Sequence, residues 1–157
     1  MKRILVLLAI ATVGMAASIS AAQAEVITND MASISFAGFV PCANGGAGEI
    51  LSGRIDVHNL VTSTVNDHHT SDRFQFQPHG TMVGGITGDV YRVTGVTQGT
   101  SAESVQNGHY TLTYVNNFRL IGPGPGNNLL VHETAHVTIN GDDAVVVEHD
   151  NLSIECR

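Results

Sequence analysis

His132-Glu133-Thr134-Ala135-His136 is the one stretch of this chain whose residue types and spacing could do chemistry outright. Two histidines four apart share one face of a helix. Both imidazoles can then reach one zinc ion, and the glutamate between them can polarise a zinc-bound water. On that reading His132 and His136 are metal ligands, Glu133 is the catalytic base, and zinc is the cofactor. The spacing works only on a helix. On a strand the same two residues share a face but stand about 13 Å apart at ~3.3 Å per residue. The donor atoms of two ligands to one zinc lie roughly 3–4 Å apart.

The surrounding residues favour a strand. Val131, Val137, Thr138 and Ile139 are β-branched, and Asn140-Gly141 ends the element at once. Taken alone, the five residues resemble the zincin metallopeptidases. The extended metzincin pattern places glycine at 139 and histidine at 142, where this chain has Ile139 and Asp142. A downstream glutamate ligand could only be Glu148 or Glu155, and both fall in the next apolar-alternating segment.

Read as a hairpin, Leu129–Asn140 and Ala144–Glu155 flank a three-residue loop, Gly141-Asp142-Asp143, with Asp143 in the left-handed position. That loop pairs Ile139 with Val145, Val137 with Val147, Ala135 with His149 and Glu133 with Asn151. Glu133, His149 and Asn151 then point with the core residues. Buried polar groups of this kind must be paired or hydrated, so they mark either a wet strand end or a ligand-binding cavity. A second polar spot, Asp67-His68-His69-Thr70-Ser71-Asp72 with His79 nearby, offers weak surface metal binding through His68 and His69. No nucleophile elbow and no phosphate-binding loop occurs in the chain. Asn151-Leu152-Ser153 is a glycosylation sequon.

The elements that must position these residues follow from alternation and punctuation. Lys2 and Arg3, the apolar run Ile4–Ala17 and the small residues of Ala22-Gln23-Ala24 predict a signal peptide over 1–24, cut before Glu25. The run is shorter than the roughly 20 residues of a membrane span, and no later segment qualifies. The exported part, residues 25–157, has the length of one domain. The full chain carries a net charge of −7, and losing Lys2 and Arg3 takes it to −9. The remaining arginines are scattered, which excludes a basic patch for nucleic acid. Cys42 and Cys156 are the only cysteines, and in an oxidising compartment such a pair forms a disulfide.

Period-2 patterning predicts strands at 32–40, 50–65, 73–77, 91–97, 110–121, 129–140 and 144–155. Residues 66–72 read as a polar loop. Gly80–Asp89 is broken by glycines, and Gln98–Gly108 reads as a polar connection with at most one helical turn near Ala102–Val105. Gly122-Pro123-Gly124-Pro125-Gly126 cannot be a regular helix or a central strand. Seven to eight short-linked strands make an all-β antiparallel meander. A small barrel fits it best, because a disulfide from first to last strand suits closure; a two-sheet sandwich is the alternative.

The stretch from Gly122 through His136-Val137-Thr138-Ile139-Asn140 to Asp150-Asn151-Leu152-Ser153-Ile154-Glu155-Cys156 resembles a group of secreted bacterial β-domain proteins of no assigned function. The resemblance implies export and a terminal hairpin. Taken together, the residues lead to a secreted or periplasmic, non-enzymatic β domain that binds a small ligand or a surface partner. The zinc peptidase and weak metal binding are the alternatives.

Overall fold

The computed structural model describes residues 23–157 except Val105 and Asp143. The expected signal peptide up to residue 22 and the left-handed Asp143 lie outside the described residues. The chain forms seven strands: β1 (Gln23–Val40), β2 (Glu49–Val65), β3 (His69–Gly84), β4 (Val90–Ser104), β5 (Tyr110–Ile121), β6 (Leu129–Ile139) and β7 (Val145–Cys156). One short 3-10 turn, Asn44–Gly46, follows β1. The strands pair in sequence order as one antiparallel sheet, the meander that the short connections predict. It is a single sheet and not a sandwich. The sheet is not closed: β1 and β7 share no ladder among the described residues. The Cys42–Cys156 disulfide joins their ends instead, with Cα atoms 5.2 Å apart.

Several strands run further than their alternation announces. The polar stretch Gln98–Ser104 is the second half of β4, not a helical turn. It lies between two partners, β3 and β5, so its backbone groups are satisfied on both edges. Its small residues have a packing role. A Cβ at Gly99 would lie 2.6 Å from the Phe74 ring and 2.8 Å from the Tyr114 Cβ, so only glycine leaves room for both neighbours. β3 runs through Pro78 to Gly84. The β3–β4 ladder skips Gln77 and Pro78, where proline has no N–H to donate.

Alternation gives the sheet two faces. The core face carries Leu51 and Ile55 from β2, Met82 from β3, Tyr91 and Val93 from β4, Leu120 from β5 and Leu129 from β6. All of these sit toward the disulfide end, with Val40, Cys42 and Ala43. Three connections fold over that end: residues 41–48, 85–89 and 122–128. Tyr91, fully buried, ties two of them together. Its hydroxyl accepts from the Asn44 N–H at 3.1 Å and donates to Asn127 Oδ1 at 3.4 Å. Asn127 Oδ1 also accepts from the Gly45 N–H at 2.8 Å. The Gly-Pro run is therefore a structured cap, although its composition forbids a regular element.

Glu49 completes the cap. Only 1% exposed, its carboxylate accepts from the N–H groups of Ile86 and Thr87 at 2.8 and 3.1 Å and from the Thr87 hydroxyl at 2.7 Å. Burial alone pushes the carboxyl up. The hydrogen bonds from the Thr87 hydroxyl and from the Ile86 and Thr87 N–H groups outweigh it and hold the group below its usual 4.5.

Candidate functional site

Residues 129–139 form β6, so His132 and His136 take strand spacing. Both side chains are bonded across to β5. His132 Nδ1 lies 2.8 Å from Asn117 Oδ1, and His136 Nδ1 lies 2.7 Å from the Thr113 hydroxyl. Glu133 points to the opposite face. The zinc reading needs all three groups around one ion, and β6 separates them by distance and by face. Among the described residues no three histidine, cysteine, aspartate or glutamate side chains group to hold a metal. His68 and His69 stand exposed in the β2–β3 turn, where Asn66 Oδ1 accepts from both their N–H groups at 2.9 and 2.8 Å. His68 Nδ1 is taken by Gln106 at 2.9 Å.

A bulge decides the fate of the expected cavity residues. β6 and β7 pair Ile139 with Val145, as the hairpin loop predicts. The register then slips between Thr138 and Ile139. Val137 faces Glu148, Ala135 faces Asp150 and Glu133 faces Leu152. One residue of slip exchanges the faces of everything beyond it. Glu133 stays on the core face. His149 and Asn151 turn to the other face, opposite His136 and Thr134. The structure therefore does not bring Glu133, His149 and Asn151 together.

Glu133 instead has partners that sequence reasoning missed. Tyr114 donates to Glu133 Oε1 at 2.6 Å, Asn116 Nδ2 donates to Oε2 at 3.4 Å, and the Thr97 hydroxyl donates to Asn116 Oδ1 at 3.1 Å. Register puts all four on the core face, with Thr97, Asn116 and Glu133 in one row across β4, β5 and β6 and Tyr114 in the row beside it. The Glu133 hydrogen bond, then burial, then the charges of Glu133 and Asp150 raise the Tyr114 phenol to about 12. Tyr114 thus stays protonated and acts as a donor. Both oxygens of Glu133 are engaged, so the row is a polar strut above the apolar core.

A sizeable concavity lies on the other face. A groove of ≈ 510 Å³ runs across β2 to β5. Side chains of the outer face wall it: Leu60 and Thr62 from β2, Arg73 and Gln75 from β3, Gln98 and Thr100 from β4, Thr113 and Val115 from β5. Phe74, Gly99 and Tyr114 pair in one row beneath it. Their side chains belong to the core face by alternation, so this row offers backbone as the floor. Gly99 sits at its centre. Leu60 and Val115 are half-buried apolar surfaces, Arg73 is the one charged side chain in the lining, and hydroxyls and amides supply the rest. No local motif marks these residues, because four strands each contribute two of them.

Comparison of the chain with protein-family models, curated proteins and solved structures finds no match. No helix among the described residues is long and apolar enough to cross a membrane.

Proposed function

We propose that this chain is an exported, non-enzymatic binding domain that takes a small ligand in the groove across β2–β5. The groove itself carries the reading. Its ≈ 510 Å³ falls within the ~300–1,000 Å³ of ordinary ligand sites, and its lining combines apolar patches with a few placed polar groups. The ligand has an apolar flank for Leu60 and Val115 and hydroxyl or amide groups for Gln75, Gln98 and Thr100. Arg73 suits a carboxylate at one end. The N-terminal apolar run and the Cys42–Cys156 bond support export.

The test is amide-resolved NMR of the isotopically labelled domain against a fragment library of sugars, carboxylic acids and amides. Binding fragments are expected to shift amides near Leu60, Gln75, Gln98 and Val115. Gln98→Trp, which fills the groove from an exposed position, should abolish the response without unfolding the sheet. Fragments that bind elsewhere, or equally well to the tryptophan variant, remove the groove as the site.

A further inference from the structure

The two free edges of the sheet form a second place for a partner, independent of the groove. In a meander of seven strands the first and last run in the same direction, so β1 and β7 cannot close the sheet as an antiparallel pair. Their C-terminal ends meet at the disulfide, and the seam between them has no ladder among the described residues. Any strand antiparallel to β1 is antiparallel to β7 as well. One added strand could therefore pair with both edges and complete an eight-stranded antiparallel barrel.

The seam has a polarity of its own. Moving away from the disulfide, the core-face residues of β1 are Phe36, Ile34, Ala32 and Asp30; those of β7 are Ile154, Leu152, Asp150 and Glu148. The apolar members are uncovered, with Phe36 48%, Ile34 46%, Ile154 55% and Leu152 54% exposed. Single exposed apolar residues are ordinary, but four on the core face of two edge strands that share no ladder among the described residues are not. Beyond them the seam is acidic. Asp30 of β1 and Asp150 and Glu148 of β7 lie there on the core face, and neither strand contains a lysine or arginine. Arg157, just past β7, is already paired with Glu155 at 2.7 Å. Natural sheets usually guard a long edge with lysine or proline, and Met31–Val40 has neither, nor any charge.

We propose that the β1–β7 seam binds an extended strand of a basic partner protein. The strand enters with its N-terminal end at the disulfide. Its core-facing side chains read apolar, apolar, then lysine or arginine twice, one at every second position. The apolar pair meets Phe36, Ile34, Ile154 and Leu152, and the basic pair meets Asp30, Asp150 and Glu148. A second copy of this chain does not fit. The chain has a net charge of −7, and its only lysine is Lys2. Past residue 3 its five arginines are scattered, with no two within one short strand.

Fluorescence anisotropy with two labelled synthetic peptides tests the proposal. The first alternates threonine with valine, isoleucine, lysine and lysine in that order; the second is the same sequence reversed. Composition and charge are identical, so only a seam of this polarity and direction separates them. The first should bind about tenfold more tightly or better, and its binding should weaken with added salt. The double variant Ile34→Asp and Leu152→Asp should lose that binding while keeping the fragment response of the groove. Equal binding of the two peptides, or none at millimolar concentration, overturns the proposal whether or not the double variant folds. A concentration-dependent dimer in sedimentation, lost in the double variant, also overturns it by making a second copy the occupant.

Discussion

At the disulfide end of the sheet, Leu51, Met82, Tyr91, Val93 and Leu120 are buried to within 2% of full burial, and three connections fold over them. At the opposite end the described residues of the connections are only 66–68, 106–109, 140–142 and 144, and most side chains on both faces stay partly exposed. The strands are continuous from one end to the other, so propensity does not separate the two regions. The difference lies in what covers the core face. Near the disulfide it is covered by loop backbone, by Tyr91 and Glu49, and by the joined ends of β1 and β7. Away from it, β1 and β7 share no ladder among the described residues. Ladder and cross-strand side-chain hydrogen bonds keep the open end in register, while packing fixes the other. Both proposed binding surfaces, the outer-face groove and the acidic part of the seam, lie toward the open end.

Breaking the disulfide should perturb this contrast most. The bond spans 114 residues, and the chain-entropy model assigns about 4–5 kcal/mol to a loop of that length. Replacing Cys42 and Cys156 together by serine should lower urea stability toward that amount. Hydrogen exchange should locate the loss: amides of the 41–48 and 122–128 loops should lose protection first, with little further change in the turns at 66–68 and 106–109. A uniform loss of protection would mean that the two ends unfold as one unit.

The buried carboxylate sharpens the same comparison through pH. Glu49 has its folded-state pKa held below the ordinary 4.5, so its contribution is present above about pH 4.5. That contribution is lost as pH falls through the lower folded value. Glu49→Gln should therefore be less stable than the parent chain at pH 7, and the gap between them should narrow as the pH drops below 4.5. Thermal unfolding of both chains across pH 3 to 7 measures it. A gap that stays constant would show that shape, not charge, holds the Ile86 and Thr87 N–H groups.

The sheet was legible because apolar and polar residues alternate along most of it, and the disulfide because the chain has two cysteines, each with one available partner. What alternation missed has local causes. Gln98–Ser104 looks like a loop because a strand flanked on both edges can spend its core-face positions on Gly99 and Ser101, leaving the space to Phe74 and Tyr114. Glu49 falls just outside the strand predicted at 50–65, and only the folded 85–89 turn supplies its donors. The β6–β7 bulge is one residue with no side-chain signature, yet it moves His149 and Asn151 off the face of Glu133. The groove needs eight walls from four strands, and no window of sequence contains them.

The smallest effect belongs to the motif with the strongest sequence signal. On β6, His132 and His136 each make one hydrogen bond to a neighbour on β5, at a face that is partly open to solvent. A neutral hydrogen bond there is worth about 0.5–1.5 kcal/mol at most, and solvent replaces much of it. Replacing both histidines by alanine should change stability by roughly 0.5 kcal/mol or less. Elemental analysis of the untagged protein after exchange into metal-limited buffer should give the same zinc content for parent and variant. One equivalent of retained zinc lost on His136→Ala would require β6 to be a helix in solution. The β5–β6 and β6–β7 ladders would then both break, and the open end would no longer be a sheet.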